Sequence, residues 1–403
     1  MPPNLHNKRD DELRRTAPLW VQPLRWLTVS SVTAYYSLAY RLMGWGTLPR
    51  RRSGTLFVVN HQHEIESPAI VAIMSLRTFS WRYPIFTVSS RRMWEPGFLA
   101  ERLPWLSFLL SGFNLGPMFS ALGMQPIENE LHARPFVSLA YTLHAQFGDL
   151  PVDQVFQSRA LERLPASIKR LSDLLSRKNF KTGRSVVKLS ELRDPYKEAA
   201  FNATRRQLEG DLAHFEALAR DGATIFLAPE GFYSGDGKMQ RLRGALSRLQ
   251  PLASVWLAGI SYDPFVGRRL GLLYRIAPAV PDLSLDIQLK RLRPVTTSAL
   301  LATWLRDRSA PFTGPEAIEG VKDQIAALPE ALFIEPHLRK DPERATRAAL
   351  NGMVRLGTLV KRSSTFALTD RRTHPQFPRT ADMIAYQANF HEETLEGARF
   401  AAA

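Results

Sequence analysis

The sequence predicts an α/β protein: a central, mixed but mostly parallel sheet flanked by helices, with an N-terminal amphipathic helix and a helical C-terminal extension. Two observations predict it. Compact apolar blocks of strand length recur at Thr55–Val59, Ile85–Ser89, Ala223–Leu227, Val255–Ser261 and Leu270–Ala277. Stretches with helical spacing of apolar residues separate several of them, and that alternation is the pattern of strands joined by crossover helices.

Composition narrows the class further. The 403 residues include 45% hydrophobic and 23% charged residues, enough apolar material for a sizeable core. Lys and Arg number 53 against 38 Asp and Glu, a formal charge of +15, which favours an anionic partner. The basic residues are dispersed, with no zinc-finger or RNP-like pattern, so a phospholipid surface or a phosphorylated substrate is expected and nucleic acid is not. The absence of cysteine removes disulfides, thiol catalysis and Cys-bound zinc. Met1–Pro18 is polar and lacks a secretory pattern, so a cytoplasmic location is expected.

From the N-terminus, residues 1–49 read as a tail and a helical segment. Trp20, Leu24, Leu27, Tyr35, Leu38, Ala39 and Leu42 recur at helical spacing, and Arg25 and Arg41 bracket an uncharged stretch of about 15 residues, too short to span a bilayer. Trp, Tyr and Arg suit the headgroup boundary, so an interfacial helix on the cytoplasmic face of a membrane is the expectation. A second apolar stretch, Phe98–Leu122, is broken by Pro104, Gly112, Gly116 and Pro117 and reads as short helices and turns.

Residues 50–285 carry the alternating pattern. Thr55–Val59 runs into Asn60-His61-Gln62-His63-Glu64-Ile65-Glu66; Ser67 then reads as an N-cap and Pro68 as the first residue of a helix to Leu76. His61 to Glu66 is thereby placed on a strand-to-helix loop, at the strand end where α/β proteins build sites. Residues 130–195 form a helix-rich insertion without a chemical motif. A long helix, Tyr196–Arg220, ends at Gly222. The next strand, Ala223–Leu227, hands over to a second polar, turn-rich segment containing Pro229, Glu230, Gly231, Phe232, Tyr233 and Ser234. Residues 286–403 read as mainly helical, at Pro315–Leu328, Pro342–Arg362 and Thr380–Leu395.

A histidine can take a proton near neutral pH while a carboxylate accepts its other N–H and fixes the tautomer. His61 with Glu66 supplies that pair, with Glu64 as an alternative partner. His61-Gln62-His63 with Glu64 and Glu66 leaves a second chemistry open, a metal site of a hydrolase, although the remaining histidines form no second cluster.

These segments, in order, resemble the glycerolipid acyltransferase superfamily, the group typified by lysophosphatidate acyltransferases. Asn60-His61 through Glu66 looks like that family's Asn-His-x4-Asp loop. Ser90-Arg91-Arg92 and Ala121–Asn129 resemble the approach to its second motif and the motif itself. Phe226–Ser234, with Arg243-Gly244 beyond, looks like its Phe-Pro-Glu-Gly-Thr-Arg-Ser motif and trailing Lys-Gly.

The resemblance implies direct transfer of a fatty acyl group from acyl-CoA or acyl carrier protein to a hydroxyl of a glycerol-phosphate-type or lyso-lipid acceptor. His61 would be the base and Glu66 its orienting carboxylate, with no resident cofactor or metal. Asn60, Arg91, Arg92, Pro229, Glu230, Gly231, Phe232, Ser234 and Arg243 would contact substrate, while Arg241 reads as a solvated charge. The pattern departs at Asn129 and Tyr233, where the family carries arginines for the acceptor's phosphate; either Arg134 compensates or the acceptor is a different lyso-lipid. A lipid-binding protein on the same fold is the non-catalytic alternative.

Overall fold

The computed structural model describes residues 21–48, 54–63, 65–77, 85–94, 98, 106, 110, 114–128, 131–231 and 233–401. Among them a seven-stranded sheet forms from β1 (Arg41–Gly46), β2 (Thr55–Val59), β3 (Ile85–Ser90), β4 (Met124–Ile127), β7 (Thr224–Leu227), β8 (Ser254–Asp263) and β9 (Gly271–Pro278). The strands between, β5 (Ala133–Pro135) and β6 (Val186–Lys188), make a separate two-stranded ribbon.

The order across the main sheet is β1-β9-β8-β2-β7-β3-β4. β2 pairs in parallel with both β7 and β8, and β7 in parallel with β3, while β9 runs antiparallel to β8 and carries β1 beside it. Every residue of β2 is buried, which is why it reads as an unbroken apolar run and not as an alternation.

The chain divides into two compact units, residues 1–87 with 218–403, and residues 88–217. In the first, α1 (Val21–Ala39) packs on α2 (Glu66–Arg77), and Arg269 donates to the carbonyls of Ser37 and Leu38 at the end of α1. The helical spacing expected through Leu42 therefore stops at Ala39. Leu42 belongs to β1, whose pairing with β9 places Gly44 against the Tyr274 ring, where a Cβ would lie 2.1 Å from its Cζ. Local periodicity does not register a partner strand 230 residues away. Ser67 is likewise not a cap: α2 already begins at Glu66.

The second unit has its own apolar core, built around α3 (Phe136–Phe147) with Phe156, Leu171 and Leu192, and includes most of α4 (Tyr196–Arg220). Gly222, at φ +78°, ends α4 as its sequence position suggests. Of Phe98–Leu122, most residues fall outside the described ones; Gly116–Ala121 is a helix.

Beyond β7 come α5 (Ala245–Leu249), α6 (Leu285–Leu292), α7 (Thr297–Leu305), α8 (Gly314–Ala326), α9 (Pro342–Leu356) and α10 (Met383–Phe400). The C-terminal part is less helical than expected. α9 ends at left-handed Gly357 and Leu359–Arg362 is a strand, β11, joined with β10 (Phe312–Thr313) and β12 (Thr365–Leu368) in a small antiparallel sheet. Nor is it an appendage. Ala317, Met353, Met383, Ile384 and Tyr386 share one buried cluster with Phe57, Val59 and Ile260, each large apolar side chain contributing about 1.5–3 kcal/mol.

Candidate functional site

The site starts where β2 stops. Asn60, fully buried, accepts from the Ile260 N–H through Oδ1 (2.6 Å) and donates through Nδ2 to the Ile260 carbonyl (3.1 Å). Its amide thus extends the β2–β8 pairing by a side chain and turns the following residues off the sheet. It was expected at the substrate; in the structure both ends of its amide serve the β8 backbone.

Because β2 and β7 are parallel neighbours, the loops that leave them emerge together. The His61 N–H donates to Glu230 Oε1 and the Gln240 N–H to Glu230 Oε2, both at 2.6 Å. Glu230 is 2% exposed, and burial pushes its carboxyl up to about 7 against the pull of those two donors. It ties the His61 loop to the segment after β7.

Glu66 is fully buried at the first position of α2, where the helix end favours a negative charge. One oxygen accepts the N–H groups of Gln62 (2.7 Å) and His63 (2.8 Å); the other lies 2.8 Å from His61 Nδ1. This network assigns the Nδ1 proton to the bond with Glu66 and leaves the neutral ring's lone pair on Nε2. The five-residue spacing between His61 and Glu66 is the turn that folds the carboxylate back under the ring. Glu64 lies outside the described residues. Tyr262 and Tyr386 are buried nearby, their phenols pushed well above the usual range by burial and then by the Glu66 charge.

His63 is turned elsewhere. Its Nδ1 accepts from the Ile65 N–H (3.3 Å), its Nε2 lies 2.6 Å from the Gln376 carbonyl, and Phe377 packs edge-on against its ring. The two imidazoles of His-x-His therefore have different partners. Among the described residues no group of three or more His, Asp or Glu is arranged to hold a metal ion.

Tyr233 stacks parallel to His63 and meets His61 edge-on, with ring centroids 5.4 Å apart. Pro229 is buried and its carbonyl accepts the Arg243 N–H (2.9 Å). Arg243 Nε donates to the Glu230 carbonyl (3.2 Å) while its guanidinium covers Gly231, where a Cβ would come within 2.4 Å of Cζ. Gly231 is at φ +77°, so both backbone and space require glycine there. Ser234 closes its own turn by donating to the Lys238 carbonyl (2.8 Å). Phe232 lies outside the described residues.

The sequence reading missed the C-terminal contribution. Met239 N–H donates to Glu393, Asn389 to the Asp236 carbonyl, and Arg379 lies over the Tyr233 ring. Gly235 and Gly237 are what admit this: a Cβ would sit 2.4 Å from the Arg379 carbonyl oxygen at the first and 2.1 Å from that of Tyr386 at the second. Those glycines were the available sign, and they read only as turn formers.

Arg91, Arg92 and Arg134 belong to the second unit. Arg91 pairs with the buried carboxylate of Asp211, which also accepts from the Glu128 N–H (2.8 Å) and Gln207 (3.0 Å). Arg134 pairs with Glu128 (3.2 Å) and donates to Thr204 (3.2 Å). Arg92 is half-buried in the same short turn as Arg91. Asn129 is outside the described residues.

No family model matches the chain, and no curated protein matches it in sequence.

Proposed function

We propose that the chain is an O-acyltransferase that moves a fatty acyl group from acyl-CoA or acyl carrier protein to a hydroxyl of a glycerol-phosphate-type or lyso-lipid acceptor, in glycerolipid or phospholipid synthesis. The observation that carries this reading is the bond between His61 Nδ1 and fully buried Glu66 at the end of a central parallel strand. The acceptor O–H gives its proton to His61 Nε2 as its oxygen bonds to the thioester carbonyl carbon. The tetrahedral oxyanion collapses, the C–S bond breaks, and the leaving thiolate takes the proton back from the imidazolium. Glu66 orients the ring and stabilises its positive charge throughout. No Ser or Cys nucleophile enters.

Substrates of this kind lie in membranes. α1 bears Leu24, Trp26, Leu27, Tyr35 and Leu38 on its exposed surface, Leu38 at 76%, and has no acidic residue. Among the described residues no helix is long and apolar enough to cross a membrane. We place α1 flat at the cytoplasmic face, its apolar side chains among the headgroups. Flotation with anionic vesicles tests this, and a protein that stays in the dense fraction contradicts it.

The activity test is a panel: purified protein, acyl-CoA or acyl carrier protein, and a set of lyso-lipids, with thioester loss followed. His61→Ala is expected to lower turnover by about 10²–10⁴-fold. Absence of transfer to every acceptor, or transfer indifferent to His61→Ala, rejects the reading. Lipid binding that survives without turnover would point to the scaffold alternative instead.

A further inference from the structure

We infer that Arg379 is the specificity residue for the acceptor, holding an anionic phosphate on the molecule whose hydroxyl His61 activates; this rests on the acyltransferase reading and names the acceptor class for that same site. The segment that carries Arg379 is fixed to the site by its backbone. The Gln376 carbonyl lies 2.6 Å from His63 Nε2, the Phe377 N–H donates to the His374 carbonyl (2.9 Å), and the Thr380 N–H donates to the Phe377 carbonyl (3.0 Å). Phe377 is buried, and the Arg379 carbonyl rests on Gly235. Arg379 itself is exposed.

That side chain is not idle in orientation. Its guanidinium carbon stands 4.5 Å from the centroid of the Tyr233 ring, which itself meets the His61 ring at 5.4 Å. Two such contacts in series bring the cation to roughly 10 Å or less from the imidazole. A three-carbon backbone with a hydrogen bond at each end covers that separation. The ring contact consumes no N–H donor in a hydrogen bond, which leaves the guanidinium fork for a phosphate oxygen pair, the geometry arginine recognises best.

Other arginines of the same unit are spent differently. Arg293 pairs with Glu393, Arg306 with Glu392, Arg372 with Asp382, and Arg41 with Asp263. Among the described residues no carboxylate is paired with Arg379; its partner is an aromatic face. An exposed cation without a paired carboxylate, near the proposed base, is suited to an anion supplied from outside.

The test compares Arg379→Gln with wild type on two acceptors of equal acyl chain in neutral detergent micelles, a lyso-phospholipid bearing a phosphate monoester and an uncharged monoacylglycerol. KM for the phosphate-bearing acceptor should rise about ten- to a hundredfold with kcat little changed, and transfer to monoacylglycerol should stay within about twofold. Arg379→Lys should recover part of the loss. Equal losses on both acceptors, or no change on either, overturn the assignment. Calorimetric titration of glycerol phosphate decides it independently of turnover. Binding to wild type that weakens in Arg379→Gln supports the site, and absent or equal binding rejects it. If wild type acylates nothing, the acyltransferase reading fails by itself, while the titration still decides Arg379.

Discussion

Two strands of the main sheet hand over to charged segments, and the chain treats the two in opposite ways. After β2, the carboxylate of Glu66 is buried among donors that orient it, one of them a histidine ring nitrogen. After β3, Arg91 meets Asp211, whose remaining capacity is taken by Glu128 N–H and Gln207. The first arrangement ends on an ionisable ring that is 18% exposed and can still exchange a proton; the second ends on mutual neutralisation. Charged residues at two strand ends thus leave a ring able to take a proton in one place and a closed ion pair in the other. What separates them is whether the last group in the network is a titratable ring or a second fixed charge.

Glu66→Gln gives the largest effect and tests the first half of the contrast. The amide oxygen can still accept from two backbone N–H groups or from His61, but its NH₂ must then face the other donor. The ring loses both its anchor and the charge that stabilises its protonated form. Turnover should fall about 10²–10⁴-fold, measured as thioester loss with saturating acceptor. A variant of near wild-type kcat would show that the Glu66–His61 bond is merely cohesive, as Arg91–Asp211 is.

Arg91→Ala tests the other half. Removing one partner of a largely buried pair leaves Asp211 short of a counter-charge, which should cost about 3 kcal/mol in urea unfolding. The double variant Arg91→Ala/Asp211→Asn should recover part of it. KM for the acceptor, measured on folded protein, should change by less than about twofold, since the guanidinium is committed to Asp211. A large rise in KM with unchanged stability would return Arg91 to the substrate-binding role its sequence context suggested.

The Arg91–Asp211 pair illustrates what was legible in the sequence. The strands Thr55–Val59 and Ala223–Leu227 could be read because a central parallel strand is buried on both faces, and an uninterrupted apolar run carries that fact locally. The His61–Glu66 pair could be read because its spacing is a turn length. Asn60 could not: its role depends on Ile260, on a neighbouring strand 200 residues away. β1 was lost to helical spacing for the same reason, as its identity rests on β9. Arg379 was invisible because nothing in Pro378-Arg379-Thr380 resembles a site. Only the packing of that segment on Gly235 and Tyr233 brings it near His61. Contacts close in sequence were legible, and those made by distant pairing were not.

The smallest expected effect belongs to Glu230, which lies between the two extremes: buried like Asp211, yet bonded to the backbone of His61. Its carboxyl titrates at about 7 when folded against an ordinary value of about 4.5. An acid raised in this way binds more protons folded than unfolded, so its contribution favours the fold fully below about 4.5 and is lost as pH rises through about 7. Two other buried groups slope the opposite way. His374 and His391 are pushed down to about 4 by burial, so their contribution is present above about 6.5 and lost as pH falls through about 4. The wild-type profile sums these opposing slopes, and only a difference isolates Glu230. Glu230→Gln keeps one acceptor for the two N–H donors and has no proton to exchange. Between pH 5 and 8, the melting temperature of wild type relative to Glu230→Gln should therefore decline with rising pH by about a few degrees. Parallel profiles would mean that the carboxylate is ionised throughout, held by its two N–H donors, and that Glu230 belongs with Asp211 as a fixed charge.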